Sequence, residues 1–385
     1  MDSSAQRHRL SDINPLPALF TMGPPARDHE AGLRCAVTLF VPLMTLLLLG
    51  RLDLAVFVSF GAFTGIYGRN ISHGERVRMQ ARAGSLLIVV MLLASVAGHA
   101  GIAEPGNTPW LVLATAIVAS GSAWLAGLWR MRPTGSLFQI FAFGAISSLP
   151  EHPPVLEGMV TAVSTVLFAL TVGISSRWLR PHRVERFRWP APDRVVGLER
   201  TMVHWEAFWH FVAVVLAGAL SAALGPVLDM EHGYWAMVAA IVPLAGHSTR
   251  YRINRGLQRV IGTFVGLALT AGLMFLNPPL PLLVLIVALL QFAAELTVVR
   301  QYMLGQVFVT PLALLSTLLS AAALAPGSVD RSGLIWDRAA ETVTGSVVGV
   351  ACVLFPWFWR KWVQQSDAPT MQIPMIRRLS LIHIS

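Results

Sequence analysis

Three arginines near the start of an apolar segment have the type and spacing needed to bind an anion. Arg252, Arg255 and Arg259 follow one another at intervals of three and four residues, so a helix places them on one face. A guanidinium group binds a carboxylate through two parallel hydrogen bonds. We expect this row at the inner mouth of a membrane pore, where it would capture anions. The alternative is simple anchoring, since arginines collect in cytoplasmic loops of membrane proteins.

One carboxylate stands out because it lies deep in an apolar segment. Glu295 follows Gln291 by four residues and precedes Arg300 by five. A carboxylate inside a membrane is costly and is therefore a functional candidate. We expect Glu295 either to carry a coupling proton or to be neutralised by Arg300.

Two further features bear on the chemistry. Tyr234 and Trp235 would offer aromatic surface to an aromatic acid, or they belong to the interfacial aromatic belt. Glu341 follows Asp337 and Arg338 at the predicted outer start of the last helix, where an ion pair would stabilise the helix N-terminus. No catalytic set and no metal-ligand spacing is found in the sequence, so we expect no enzyme activity, no metal and no cofactor.

The composition predicts the elements that carry these residues. Of the 385 residues, 55% are hydrophobic and 13% are charged, against about 25% charged in an ordinary soluble domain. This excludes a soluble enzyme, a disordered chain and a nucleic-acid binder. It predicts an all-α polytopic membrane protein that is surrounded by membrane lipid. The net charge of +9 then needs another explanation.

Twelve apolar segments are candidates for membrane helices. They are Leu33–Leu49, Leu52–Tyr67, Ala83–Ile102, Trp110–Trp129, Gly135–Leu149, Val155–Ser175, Phe208–Leu224, Tyr234–Gly246, Val260–Leu276, Pro279–Val299, Tyr302–Leu324 and Ala340–Trp359. The second, fifth and eighth are short, and as re-entrant hairpins they would leave ten spanning helices.

The basic residues predict the orientation of these segments. With a cytoplasmic N-terminus, 25 of the 29 Lys and Arg residues fall on the cytoplasmic side and only three in the outer loops. Such a bias is typical of membrane proteins. We therefore expect twelve crossings with both termini in the cytoplasm.

The chain also repeats itself. A shift of 178 positions aligns Gln80 with Gln258 and Gly84 with Gly262, which predicts two parallel six-helix repeats. Gly262 with Gly266 and Gly345 with Gly349 form small-residue pairs four apart, which predict close helix packing.

These features divide the chain into five parts. Residues 1–32 form a cytosolic leader, 33–175 the first membrane half, 176–207 a basic cytosolic linker, 208–360 the second membrane half and 361–385 a C-terminal tail. The end of the tail resembles translated adapter sequence. The oligomeric state stays open, a homo-oligomer included.

The stretch from Tyr234 to Gly272 resembles the fusaric acid resistance protein family, also grouped as aromatic acid exporters. Tyr234-Trp235-Ala236, the run from Arg255 to Thr263, and Glu341-Thr342 with Gly345 and Gly349 carry the resemblance. It implies a bacterial inner-membrane protein that exports aromatic carboxylic acids, driven by the proton gradient. Many members carry a large cytosolic domain, for which the linker here is too short.

Three functions are compatible with the sequence. The leading hypothesis is a secondary efflux transporter for small organic anions, with Arg252, Arg255 and Arg259 capturing substrate and Glu295 carrying the proton. The alternatives are an anion channel, which an arginine-lined pore would also suit, and a structural or regulatory membrane subunit.

Overall fold

The computed structural model describes residues 19–24, 28–175, 195–230, 232–246, 248–324 and 331–366. Most of the predicted leader, more than half of the linker and most of the tail lie outside these ranges. The described part of the tail, to Ser366, continues the last helix.

The described residues form twelve α-helices and no strand, which confirms the predicted fold class. They are α1 (Asp28–Leu48), α2 (Ala55–Ala62), α3 (His73–His99), α4 (Thr108–Leu128), α5 (Leu137–Ser147), α6 (Val155–Ser175), α7 (Leu198–Leu228), α8 (Tyr234–Ile241), α9 (Thr249–Leu276), α10 (Leu280–Thr297), α11 (Tyr302–Leu324) and α12 (Arg331–Ser366). Short 3₁₀ turns extend α2 at both ends and α8 at its end.

Nine of the twelve described helices are long and apolar enough to cross a membrane, so the protein is a polytopic membrane protein. The other three are α5 and the segments Leu52–Ile66 and Tyr234–Leu244, which contain α2 and α8. The eleven residues of α5 rise by about 16 Å, roughly half of the hydrocarbon thickness. These are the three segments that the sequence marks as short.

The short helices form the centre of the bundle. All eight residues of α2 and all eight of α8 are buried, as is most of α5. A helix that ends inside the membrane leaves backbone groups that lipid cannot satisfy, so it must be surrounded by protein. The burial of α2, α5 and α8 meets this requirement and brings their aromatic side chains together.

The helix pairings repeat across the two halves, as the predicted repeat requires. The first helix of each half packs against the fourth helix of the other, α1 on α10 and α7 on α4. Within each half, the third helix contacts the fifth and the sixth, and the second contacts the sixth. The contacts between the two halves are also equivalent, because the second helix of each half packs against the fifth helix of the other, α2 on α11 and α8 on α5. Two parallel repeats related by a pseudo-two-fold axis produce this pattern.

Four helices begin about ten residues before the predicted apolar segments. The predicted starts at Ala83, Phe208, Val260 and Ala340 were wrong, because α3, α7, α9 and α12 begin at His73, Leu198, Thr249 and Arg331. Apolar composition marks only the part of a helix that is rich in hydrophobic residues. In α3, α9 and α12 the preceding turns carry arginines whose long side chains are partly buried along the helix, so hydropathy does not detect these turns.

Candidate functional site

The predicted arginine row lies within the first turns of α9, and its burial increases along the helix. Arg252 and Arg255 are half-buried, whereas Arg259 is only 2% exposed. Arg252 Nε donates to the carbonyl oxygen of Gly246 at 2.9 Å. Arg255 lies over the ring of Tyr302, 4.3 Å from its centroid, and Arg259 Nη1 donates to the hydroxyl of the same tyrosine at 3.3 Å. Tyr302 therefore links the half-buried arginine to the buried one.

A fourth arginine reaches this region from α12. Arg338 is 1% exposed, and its guanidinium carbon lies 3.7 Å from the ring centroid of Trp235. A cation over a tryptophan face is stabilised by the ring quadrupole, most strongly when both are shielded from water. The guanidinium groups of Arg338 and Arg259 lie close enough for their charges to repel each other. Tyr302 also interacts electrostatically with Arg338. We call Arg259, Arg338, Trp235 and Tyr302 the arginine cluster.

Four buried donor atoms of the arginine cluster find no acceptor within hydrogen-bond distance among the described residues. They are Nε of Arg259, Nε and Nη1 of Arg338 and Nε1 of Trp235. Leaving a buried donor unpaired costs about 1–3 kcal/mol, and more for a charged group. Repulsion between two buried like charges adds to this cost. An anion that accepts from both guanidinium groups would offset both terms.

The predicted aromatic pair lies beside this cluster, but as part of the packed interior. Tyr234 and Trp235 are 4% and 0% exposed, so they are neither belt residues nor an open aromatic surface. The Trp235 ring lies 4.6 Å from that of Tyr234 and 4.9 Å from that of Phe141. Phe141 in turn contacts Phe60 at 4.9 Å, so an aromatic line joins α8 to both short helices of the first half.

A small cavity lies along this line, between α2, α5 and α11. Phe60, Phe63 and Phe141 line one side of it, and Ser316 lies opposite with a hydroxyl that no described residue binds. Its volume is about 20 Å³, which holds a water molecule and not an aromatic acid. Substrate passage along this line would therefore require helix movement.

The predicted glycine pairs lie where helices approach each other closely around the arginine cluster. The faces of Gly345 and Gly349 are directed at the carbonyl oxygens of Ala236 and Ala240 in α8, so α12 contacts the backbone of α8. Gly262 and Gly266 face α11 in the same way. These contacts bring Arg338 to Trp235 and Arg259 to Tyr302, because each arginine lies within two turns of a glycine on its own helix.

Glu295 lies in a different environment from the one that the sequence suggests. Its carboxylate forms an ion pair with Arg69, from the connection that follows α2, and accepts from Gln291 Nε2 at 3.1 Å. Arg69 also binds Asp28 of α1 at 2.7 Å. The expected pairing with Arg300 was wrong, since Arg300 Nε points to the carbonyl oxygen of Gly23. The charge of Glu295 is therefore balanced by the first half of the chain.

Asp337 and Glu341 likewise differ from the expected surface ion pair. They lie in the second and third turns of α12 and are 2% and 0% exposed. Asp337 accepts from His232, whose ring lies at 2.5 Å and whose backbone N–H lies at 3.0 Å. Glu341 Oε1 accepts from Ser221 Oγ at 2.6 Å. The expectation failed because the helix begins nine residues earlier than the apolar segment.

Part of the predicted leader contacts the mouth of the arginine row. Leu19 is 6% exposed, and its carbonyl oxygen accepts from the side-chain amides of Gln258 and Gln301. Gly23 donates its backbone N–H to the carbonyl oxygen of Arg300 at 2.7 Å. The glutamines directly precede Arg259 and Tyr302, so residues 19–24 cover the end of the bundle next to the arginine cluster.

Sequence reasoning missed Arg338 and Tyr302. Arg338 was placed at the outer start of the last helix and given no part in anion binding, although an arginine seven residues into a helix that continues into the membrane is a functional candidate. Starting the last helix at Arg331 would have identified it. Tyr302 offers no comparable signal, because it is a single aromatic residue at the start of an apolar helix.

A comparison with known protein families finds a match in the half of the chain that contains the candidate site. The arginine cluster and Glu295 all lie between α7 and the end of the membrane part of α12. Residues 216–352 match the family described as fusaric acid resistance protein-like. The predicted resemblance to this family is confirmed for that stretch, which includes every residue of the arginine cluster. The family match runs from the middle of α7 into α12 and so covers most of the second six-helix repeat.

A curated relative also matches part of the chain. The chain is 27% identical over 144 residues to the "Uncharacterized membrane protein YvaC" of Bacillus subtilis (strain 168). The aligned stretch is 37% of this chain and 22% of YvaC, so it spans about a fifth of the relative's length. No solved structure matches the chain. The fusaric acid resistance protein-like match and YvaC both agree with a membrane protein.

Proposed function

We propose that the protein is a secondary transporter that exports small organic anions, with aromatic carboxylates as the preferred class. The observation that carries the proposal is the pair of buried guanidinium groups of Arg259 and Arg338, with donor atoms that no described residue accepts from. A carboxylate fits them because it accepts two hydrogen bonds in a plane and neutralises the repulsion between them. The match to the fusaric acid resistance protein-like family supports the transport function and the choice of substrate class.

The aromatic preference rests on the surroundings of the two arginines. Tyr302, Trp235 and Tyr234 lie next to the guanidinium groups, and the aromatic line continues from Trp235 to Phe141 and Phe60. A substrate ring can pack against such side chains in edge-to-face or offset-stacked geometry while its carboxylate contacts the arginines. Because the described cavity is too small for a ring, binding would open the contact between the two halves.

Arg252 and Arg255 have the supporting role of attracting the anion to the buried pair. They are half-buried and precede Arg259 on the same helix face, so a row of positive charges leads along α9 to the site. Attraction of this kind raises the rate of encounter more than the final affinity. Tyr302, under Arg255 and bonded to Arg259, would pass the anion between the two.

Proton coupling and orientation complete the proposal. Glu295 is one candidate for the proton carrier, although its ion pair with Arg69 would have to open before it could take up a proton. The bias of basic residues supports a location in the bacterial inner membrane with both termini in the cytoplasm. The arginine pair would equally suit an anion channel, which needs no coupling.

The test is transport of radiolabelled 4-hydroxybenzoate or fusaric acid by the full chain in proteoliposomes. We expect Arg259→Ala and Arg338→Ala each to weaken uptake by at least about 30-fold. The carboxylate needs both guanidinium groups, and each substitution removes one of the two charges that bind it. Arg130→Ala is the matched control, since Arg130 forms an exposed ion pair with Glu199. Wild-type rates from both cluster variants would contradict the site.

Two further measurements separate the candidate functions. Transport that a proton gradient accelerates supports a coupled transporter, whereas a current that follows the anion gradient alone supports a channel. A wild-type protein that is correctly inserted and moves no organic anion would contradict both and leave a structural or regulatory subunit.

A further inference from the structure

The carboxylate of Glu341 lies next to the arginine cluster without belonging to it. Glu341 is three residues after Arg338 on α12, so the two side chains leave the same face of the helix. It is 0% exposed. Its Oε1 accepts from Ser221 Oγ of α7 at 2.6 Å, and its carboxylate lies near the backbone of Ala236, one residue after the tryptophan under Arg338.

The charged and titratable groups nearest to Glu341 are Asp337 on its own helix and His232 in the connection before α8. Arg338 lies one turn earlier on α12, where its charge interacts with Arg259 of α9 and Tyr234 of α8. The packed helix α7 contributes the neutral Ser221. Asp337 has a basic partner in His232, whereas Glu341 Oε2 has no hydrogen-bond partner among the described residues.

We propose that Glu341 is a proton-binding residue whose protonation controls the affinity of the arginine cluster for its anion. An ionised Glu341 serves as the counter-ion of Arg338 and repels an incoming carboxylate. When Glu341 takes up a proton on Oε2, its charge is lost and the anion becomes the counter-ion of the two arginines. Proton binding and anion binding therefore favour each other, and linkage makes the effect reciprocal.

This inference rests on the proposed anion site and refines its coupling. It assigns the proton to Glu341 instead of Glu295, because Glu295 already has Arg69 as its ion-pair partner. It also agrees with the finding that no salt bridge joins Glu341 to Arg338, one turn earlier on the same helix, among the described residues. A direct ion pair would compete with the anion at every pH.

A purely structural role for Glu341 makes a different prediction. The Ser221 contact needs only an acceptor oxygen, which glutamine also supplies. Glu341→Gln therefore keeps the hydrogen bond to Ser221 and removes the titration. Glu157→Gln is the matched control, because Glu157 is a carboxylate in the first turn of α6 that pairs with Arg51 far from the cluster.

The experiment is equilibrium binding of 4-hydroxybenzoate to the purified full chain in lipid nanodiscs, from about pH 6 to about pH 9, where the probe carboxylate stays ionised. Wild type and Glu157→Gln should lose affinity by about tenfold or more as pH rises, since one buried charge interaction changes. Glu341→Gln should bind with the low-pH affinity of the wild type at every pH.

The outcomes separate this inference from the proposed function. A Glu341→Gln protein that keeps the wild-type dependence on pH, or that binds more weakly by the same factor at every pH, overturns the proton-binding role and leaves the anion site intact. Failure of the wild type to bind the probe at any pH overturns the anion site, and the inference with it. Proton uptake on binding, lost in Glu341→Gln, is the independent positive signal.

Discussion

The guanidinium group of Arg338 lies 3.7 Å from the ring centroid of Trp235, and neither side chain is more than 1% exposed. The contact joins α12 to the short central helix α8. It fixes a buried cation whose Nε and Nη1 have no acceptor among the described residues, so the aromatic face supplies part of the stabilisation that water would otherwise give. The anion site depends on this contact, because the contact determines where Arg338 points.

The Trp235 contact predicts a difference between two substitutions. Trp235→Phe keeps an aromatic face under Arg338, whereas Trp235→Leu removes it. We expect Trp235→Leu to lower the free energy of unfolding by about 2 kcal/mol more than Trp235→Phe, the size of a buried cation–π interaction. Denaturant titration in detergent measures it. Trp110, which is 64% exposed, is the control, and the same two substitutions there should not differ. Equal losses at Trp235 would contradict a cation–π role.

The ion pair between Arg69 and Glu295 predicts strong non-additivity. Arg69→Gln leaves a carboxylate that is 4% exposed without its partner, which costs about 3–5 kcal/mol. Adding Glu295→Gln should restore part of this stability, because the buried charge of Glu295 is then removed, whereas Asp28, which Arg69 also binds, keeps its charge in both variants. A double-mutant cycle of unfolding free energies measures the coupling. The exposed pair Arg130–Glu199 should show a coupling of only about 0–1 kcal/mol. Additive losses at Arg69 and Glu295 would show that the two charges do not interact.

Close packing of α12 on α8 predicts that Gly345 does not tolerate a side chain. A Cβ atom there overlaps the carbonyl oxygen of Ala236, so Gly345→Ala must separate the helices. We expect an apparent stability loss of about 1–3 kcal/mol or more, with reduced anion binding because Arg338 moves with α12. Gly121→Ala is the control, since nothing lies within 4 Å of its added Cβ. That control should be neutral or stabilising by up to about 1 kcal/mol. A wild-type Tm for Gly345→Ala would contradict the packing.

The proposed orientation predicts which loops a membrane-impermeant maleimide reaches in intact cells. Cysteines introduced at Glu104, in the connection between α3 and α4, should be labelled. Those introduced at Arg132, between α4 and α5, should react only after permeabilisation. Both positions are exposed, and the two native cysteines are buried, so the background is low. Labelling of the opposite loop alone would reverse the orientation, and labelling of both in intact cells would mean that α4 does not cross.

Much of the fold could be predicted because membrane helices are selected by local composition. Apolar segments of sufficient length, separated by short polar connections, predicted twelve helices and three short ones among them. The boundaries were less accurate where arginines occupy the first turns, as at Thr249 and Arg331. Hydropathy reports the polarity of a residue and not whether its backbone is helical.

Part of the candidate site could also be predicted. The spacing of Arg252, Arg255 and Arg259 on one helix face depends only on helix geometry, so the sequence contains it. The sequence does not contain the gradient of burial along that face, which arises because Tyr302 and α12 cover Arg259 and leave Arg252 partly open. The apolar neighbourhood of Glu295 was also visible, but its partner was not.

The sequence by itself determined that the chain is an all-helical, twice-repeated membrane protein with an arginine row at one end of a membrane helix. Only the tertiary structure decided that Arg338 joins Arg259, that Arg69 neutralises Glu295 and that Glu341 is buried beside the cluster. Arg259 and Arg338 come from different helices, and Arg69 and Glu295 come from different halves of the chain. Helix packing selects such pairs through contacts between residues far apart in the chain, whereas periodicity and composition describe only neighbours along it.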